Sequence, residues 1–238
     1  MCGRYASSAS NDLLAELFEV EESVGPLPEP SWNVAPTDAV PAVVERPAAG
    51  TGELVRKLVA LRWGLVPSWS KDPGNGARMI NARFETVAEK PAFRRAFAAR
   101  RCLLPADGYY EWYTSTELDS RGKPVKQPFF IHPSDGGLLA MAGLYEFWKS
   151  PAGEWLASCT VITTQAADAL GRIHDRMPMV VPPDAWGDWL DPRFGADPRG
   201  LLAVPGAGLE AHLVSRAVNN VANNTPDLVL PVPDADRE

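Results

Sequence analysis

Apolar positions in this chain recur at helical spacing only in short stretches, and they alternate with polar positions in many longer runs. Ser10-Asn11-Asp12 precedes Leu13, Leu14, Leu17 and Phe18, which predicts a capped helix with one apolar face. The β-branched runs Val40 to Arg46 and Leu54 to Trp63, separated by Ala-Gly-Thr-Gly, predict a hairpin. Pro91 opens a predicted short helix with Phe93 and Phe97 on one face and Arg94 and Arg95 elsewhere. Further strands are predicted at Arg101 to Pro105, Gly108 to Tyr113, Phe129 to His132, Leu138 to Trp148 and Trp155 to Thr164. Alternation puts Tyr109, Glu111 and Tyr113 on one face and Tyr110 and Trp112 on the other. The polar stretch from Ser115 to Lys126 reads as an exposed loop. Short helices are expected from Gln165 to Leu170, stopped by Gly171, and from Asp184 to Leu190, with a last strand from Ala211 to Ser215. Many strands, few short helices and no βαβ alternation predict an α+β fold with a largely antiparallel, barrel-like β core. No linker divides the chain, so residues 1–238 read as one domain.

Composition adds limits. With 238 residues, 45% of them apolar and 22% charged, the chain has the make-up of a globular protein able to bury a substantial core. No apolar run approaches a membrane span and no secretory leader pattern is present, so a cytoplasmic protein is expected. The net charge of −7 argues against a nucleic-acid partner. Its distribution argues the other way. From Arg78 to Arg101, seven basic residues face only Glu85 and Glu89, a local net of +5, which can attract phosphates or simply make a solvated helix face. Three cysteines without a C-x-x-C pair predict neither a disulfide framework nor a metal site. Cys102 and Cys159 lie in apolar runs and are expected in the core.

The candidate chemistry starts at Met1-Cys2-Gly3-Arg4-Tyr5. Removal of Met1 would leave an α-amine (ordinary pKa about 7.7–8.0) beside a thiol (about 8.5), a pair able to capture an aldehyde twice. The bland alternative is an incidental thiol at a loose terminus. Glu111, on an aromatic strand, can hold a proton near neutrality if burial raises its pKa. Gly143-Leu144-Tyr145-Glu146-Phe147 repeats its Tyr-Glu-aromatic core, and spacing alone leaves Glu111 and Glu146 as equal candidates. His174 is either an acid-base group or a surface histidine satisfied by Asp175. Asn81 can orient an amine or hydroxyl, and Arg83 can grip a phosphate. Trp63 and Trp69 are core plugs or surfaces for stacking bases.

Several motifs then occur in one order. They are the Cys2-Gly3-Arg4-Tyr5 start, Trp32-Asn33-Val34-Ala35-Pro36, Arg62-Trp63-Gly64-Leu65-Val66-Pro67 and Ile80-Asn81-Ala82-Arg83, with Glu85-Thr86 following. Asp107-Gly108-Tyr109-Tyr110-Glu111-Trp112, Ile173-His174-Asp175-Arg176-Met177-Pro178 and Val214-Ser215-Arg216-Ala217-Val218 complete the set. Together they resemble the SRAP (SOS response-associated peptidase) family from Cys2 to about Pro231. The resemblance implies a sensor of abasic sites in single-stranded DNA that crosslinks itself through Cys2 after self-cleavage removes Met1. It implies Cys2 as nucleophile with Asn81, Glu111 and His174 as its catalytic partners, and so favours Glu111 over Glu146. The DNA contacts expected are Arg4, Asn33, Pro36, Trp69, Arg83, Thr164, Arg176, Ser215 and Arg216. No metal or organic cofactor is implied; the expected protein is a monomer that joins the nucleoid during repair. Two other classes fit the residues: an amidase or peptidase with an N-terminal cysteine nucleophile, and a non-catalytic single-stranded DNA-binding module.

Overall fold

The computed structural model describes residues 2–48, 50–118, 120–166, 170, 172–205 and 208–232. In chain order its elements are β1 (Tyr5–Ser7), α1 (Asn11–Leu17), β2 (Glu22–Val24), β3 (Ser31–Val34), β4 (Ala39–Pro47), β5 (Leu54–Trp63), β6 (Asn81–Arg83) and α2 (Arg94–Ala99). There follow β7 (Arg101–Ala106), β8 (Gly108–Leu118), β9 (Pro124–Pro133), β10 (Leu139–Lys149), β11 (Trp155–Gln165), β12 (Arg176–Pro178), α3 (Trp186–Leu190) and β13 (Leu209–Leu213). Among the described residues no helix is long and apolar enough to cross a membrane.

Backbone pairing sorts the strands into two sheets. The smaller runs β13-β9-β8-β1-β3; the larger runs β12-β11-β10-β7-β4-β5-β2, with β6 beside β11. At its end β5 also meets β11 in parallel, Arg62 opposite Ser158 and Trp63 opposite Cys159. That pairing closes β4, β5, β11, β10 and β7 into a five-stranded barrel, removing edges that an open sheet would expose. The fold is α+β, with antiparallel pairs dominating.

β10 shows why the barrel forms. Leu139, Met141 and Tyr145 point inward with Cys2, Cys102, Cys159 and Trp63, while Ala140, Ala142 and Leu144 point outward beneath Leu14, Phe18 and Trp189. Seven successive apolar residues, Leu139 to Tyr145, suit a strand covered on both faces. The expected core places for Cys102 and Cys159 are correct, and both are fully buried free thiols.

Several elements depart from expectation. In α1 Ser10 Oγ accepts from the Leu13 amide at 3.2 Å, as a cap should, but Leu13 and Leu17 remain 49% and 43% exposed. So short a helix, lying across a sheet, buries only its Leu14–Phe18 ridge. The stretch from Ser115 to Lys126 is not simply a loop: β8 and β9 extend through it as a hairpin arm, pairing Thr114 with Lys126 and Leu118 with Pro124. Both faces of that arm are wet, so its sequence lacks the alternation that betrays a strand. The last strand ends at Leu213, and Ser215 caps the 3₁₀ turn that follows, accepting from the Ala217 amide. Gln165 ends a strand, and the rest of the expected helix up to Gly171 lies largely outside the described residues.

The basic stripe also needs correction. Arg101 is 1% exposed, and its guanidinium donates to the carbonyls of Phe97, Ala98, Trp189 and Asp191, tying β7 to α2 and α3. Arg100 is held by Glu146 at 2.7 Å. Neither faces a phosphate. Arg101→Leu takes the donor from four carbonyls, those of Phe97 and Trp189 buried, and is expected to cost about 3–5 kcal/mol in a urea titration, against about 0.5 kcal/mol or less for exposed Arg94→Ala.

Candidate functional site

The amino-terminal stretch is locked into the core. Tyr5 in β1 sits opposite Tyr109 of β8 on one side and Val34 of β3 on the other. Its ring meets Trp63 edge-on, centroids 5.0 Å apart. Trp63 is a fully buried plug whose indole N–H donates to the Ile80 carbonyl at 3.0 Å, fixing the residue before Asn81. Gly64 takes φ +126°, and a Cβ there would lie 2.7 Å from the Gly76 carbonyl oxygen. Only glycine fits this close backbone crossing, which brings the chain back to run β6 along β11 with Asn81 beside Val161. From there the Asn81 amide donates to the Cys2 carbonyl at 2.8 Å, while its own Oδ1 is buried without a hydrogen-bond partner.

Cys2 is fully buried. Burial pushes its thiol far above the ordinary value, and the nearby Glu111 carboxylate adds to the shift; a hydrogen bond from the Arg4 backbone works against both. Glu111 itself is 2% exposed, and burial raises its pKa to about 7. Tyr109 is raised by burial and then by the charges of Cys2 and Glu111, which it adjoins. His174 Nδ1 lies 3.8 Å from Glu111 Oε1 and 3.0 Å from Asp175 Oδ1. The Arg176 amide also donates to Nδ1, at 3.0 Å. A backbone N–H can only donate, and burial lowers the His174 pKa, so the neutral ring carries its proton on Nε2. Asp175 favours the charged ring, but it is the more exposed and weaker influence.

Glu146 has other surroundings. It pairs with Arg100 and accepts from its neighbour's amide, a structural arrangement away from Cys2. Cys2, Asn81, Glu111 and His174 are thus gathered at one place, and Glu146 is not among them.

A cleft of about 510 Å³ opens over this cluster, lined by Glu111, Trp112, Thr114, Lys126, His174 and Asn219. A second hollow shares Thr114, Lys126 and Asn219 with it and continues to Lys123 and Arg216, making a groove along the hairpin arm. The nine residues expected on DNA are distributed unevenly. Arg83 and Arg216 are exposed and Trp69 is 60% exposed, and of these Arg216 lines the groove. Thr164 and Arg176 form a network with Glu85, which takes both guanidinium arms at 2.8 and 3.0 Å. That pairing holds the Glu85 carboxyl below its ordinary pKa and neutralises much of the Arg176 charge. Arg4 donates to Asn33 Oδ1 at 2.7 Å and to the Val218 carbonyl at 2.8 Å. Buried Asn33 in turn holds the carbonyls of Val218, Asn220 and Asn223, so both residues brace the loop that carries Arg216. Pro36 and Ser215 are half-buried. The sequence does not mark Trp112, Thr114, Lys126 and Asn219 as cleft walls: Thr114 and Lys126 flank or end a stretch that reads as a loop, with Gly122 as its turn signal, while Trp112 and Asn219 meet only through the tertiary fold. Among the described residues no group of three or more His, Cys, Asp or Glu side chains is arranged to hold a metal ion.

Comparison with known proteins sets this geometry in context. The fold is that of a crystal structure of a protein from Bacteroides thetaiotaomicron, with TM-score 0.80 at 23% identity over 98% of this chain and 100% of that one. A Bordetella bronchiseptica protein gives TM-score 0.68 at 28% identity, covering 90% and 100% of the two chains. The abasic site processing protein YoqW of Bacillus subtilis is 38% identical over 237 residues, 96% of this chain and 99% of that one. The abasic site processing protein HMCES of Xenopus tropicalis is 32% identical, over 95% of this chain and 77% of its own. The sequence model of the SOS response associated peptidase (SRAP) family matches residues 1–221, and the chain belongs to that family.

Proposed function

We propose that this protein captures the ring-opened aldehyde of an abasic site in single-stranded DNA, using the amine and thiol of Cys2 once Met1 has been removed. The observation that carries the reading is the convergence at Cys2. Asn81 holds its carbonyl, Glu111 lies close enough to raise its thiol pKa, and His174 stands beside Glu111 in the wall of a cleft that also contains Lys126. The names of the bacterial and vertebrate relatives, both abasic site processing proteins, support the substrate class.

The steps balance as follows. The Cys2 amine adds to the aldehyde carbon, forming a carbinolamine; proton transfer to its hydroxyl releases one water and leaves an iminium. The thiol then gives its proton to a base, its sulfur attacks the iminium carbon, and a thiazolidine closes. Glu111, with a pKa of about 7, exists in both protonation states at neutral pH and can serve either transfer. The protonated form of Glu111 delivers the proton to the departing hydroxyl, and the neutral His174 ring positions that hydroxyl with a hydrogen bond from Nε2. The same acid-base pair serves self-cleavage after Met1, a hydrolysis with Cys2 as its nucleophile. Exposed Arg83 and Arg216, with Lys126 in the groove, hold the flanking phosphates, and Trp69 offers a face for a neighbouring base. A missing base leaves no pair to break, which favours the lesion over an intact nucleotide. Tyr5 in β1 packs in the same core cluster as the barrel residues, which supports reading the chain as one domain.

The test is direct. Protein of verified intact mass, lacking Met1, is mixed with single-stranded DNA with and without one abasic site and run on a denaturing gel. A retarded band confined to the abasic strand is the expected result. Equal bands on both strands, or none on either, would remove this reading in favour of an amidase or a simple binding module.

A further inference from the structure

The cluster at Cys2 lies towards the end of the barrel where β11 meets β6. Towards the other end, β5 and β11 part company. They pair only at Arg62–Ser158 and Trp63–Cys159, and nearer its start β5 pairs with β2 instead, Lys57 opposite Glu22 and Val59 opposite Val24. The change of partner leaves a seam in the barrel wall, and behind it a cavity of about 560 Å³. Its walls are hydrocarbon from Val44, Val59, Leu61 and Ala157 and the rings of Tyr145 and Phe147.

One charged group is held ready there. The Arg46 guanidinium carbon lies 4.8 Å from the Phe147 ring centroid and 5.6 Å from that of Tyr145, and Nη1 donates to the Tyr145 hydroxyl at 3.3 Å. Among the described residues Arg46 has no carboxylate partner. Lys57 at the rim is already matched by Glu22 at 2.7 Å, and Glu45, pointing to the other side of β4, is matched by Arg56 at 2.9 Å. The aromatic rings fix the guanidinium plane and leave its outer N–H groups without a protein acceptor. Among the described residues the cavity therefore carries one uncompensated positive charge, beside the Lys57–Glu22 pair at its rim and a mainly apolar wall.

We propose that this cavity is a second binding site, for a lipophilic monoanion whose carboxylate meets Arg46 and whose hydrocarbon body fills the barrel mouth. The size suits a small organic ligand. Beyond Arg46, the polar side chains lining the cavity are the Tyr145 hydroxyl, already bonded to Arg46, and the mutually paired Lys57 and Glu22, and no Ser, Thr, Asn or Gln is among them, so the many polar edges of a nucleobase and sugar suit it less well than a hydrocarbon chain does. The cavity shares no lining residue with the cleft over Cys2.

Anilinonaphthalene sulfonate, an aromatic anion, serves as the probe in a fluorescence titration of the full chain. A single saturable site is expected, with decanoate displacing the probe and decanol doing so roughly tenfold less well or worse, since only the acid forms a charge-assisted bond. Arg46→Gln should weaken probe and decanoate by roughly tenfold or more, and Arg46→Lys should restore the preference for acid over alcohol. Ala157→Leu, which fills the cavity, should block both ligands. Thermal melts give a second reading that does not depend on that variant folding: decanoate should raise the Tm of the natural chain and not that of Arg46→Gln. Probe binding unchanged in Arg46→Gln, decanol competing as well as decanoate, or equal Tm shifts in both proteins would each overturn the proposal.

Discussion

A form of the protein whose Cys2 amine is blocked, by acetylation or by retention of Met1, will give no heat-stable adduct with abasic DNA, although its thiol is intact. Cys2→Ala keeps the amine and loses ring closure, so its adduct stops at an imine that survives the gel only after borohydride reduction. Cys2→Ser should resemble Ala more than the natural chain, because a hydroxyl is far less ionised than a thiol near neutrality. The thiol is fully buried and its pKa pushed up, so it reacts only when a neighbour takes its proton. A thioether mechanism predicts the reverse pattern. A heat-stable band from the amine-blocked form, without borohydride, would replace the thiazolidine with a simple thiol adduct.

Glu111→Gln is expected to slow adduct formation by about 10²–10⁴-fold, the usual contribution of a placed general acid-base group, while binding to abasic DNA stays near that of the natural chain. The same substitution should stabilise the fold at alkaline pH. The Glu111 pKa is raised from 4.5 to about 7, so below pH 4.5 the carboxyl is protonated folded or unfolded and costs nothing. As pH rises from there towards 7, the unfolded chain ionises first and stability falls. Above about 7 the folded protein carries a buried charge, at a cost on the order of 3 kcal/mol. A neutral glutamine avoids that loss, so the stability difference should grow from near zero at pH 4 to about that size at pH 8 in denaturant titrations. Glu146→Gln breaks a pair with Arg100 and should leave adduct formation almost unchanged. A flat difference across that pH range would refute the buried-carboxylate account. A crippled Glu146→Gln with a mild Glu111→Gln would refute the assignment of roles.

These contrasts turn on where each side chain ends up, and that was only partly legible in the chain. Alternation and turn chemistry are local, and they suffice for the β4–β5 hairpin, for the opposite faces of Tyr109 and Tyr110, and for Cys102 and Cys159 in the core. The ordered motifs carry the family. Periodicity says which way a side chain points and not what it meets, so the partners of charged groups stayed hidden. Arg101 looks like its neighbours Arg94 and Arg95 in sequence, yet it is buried against carbonyls of Trp189 and Asp191 nearly ninety positions away. Arg176 is neutralised by Glu85 across 91 positions, and Arg4 braces Val218 across 214. Glu111 and Glu146 share a local pattern, and they part only because Arg100 reaches one while burial beside Cys2 governs the other. The closing of the barrel by β5 on β11, and the charged cavity where the two strands separate, belong to the tertiary structure alone, because parallel pairing between segments so distant leaves no local mark on either strand.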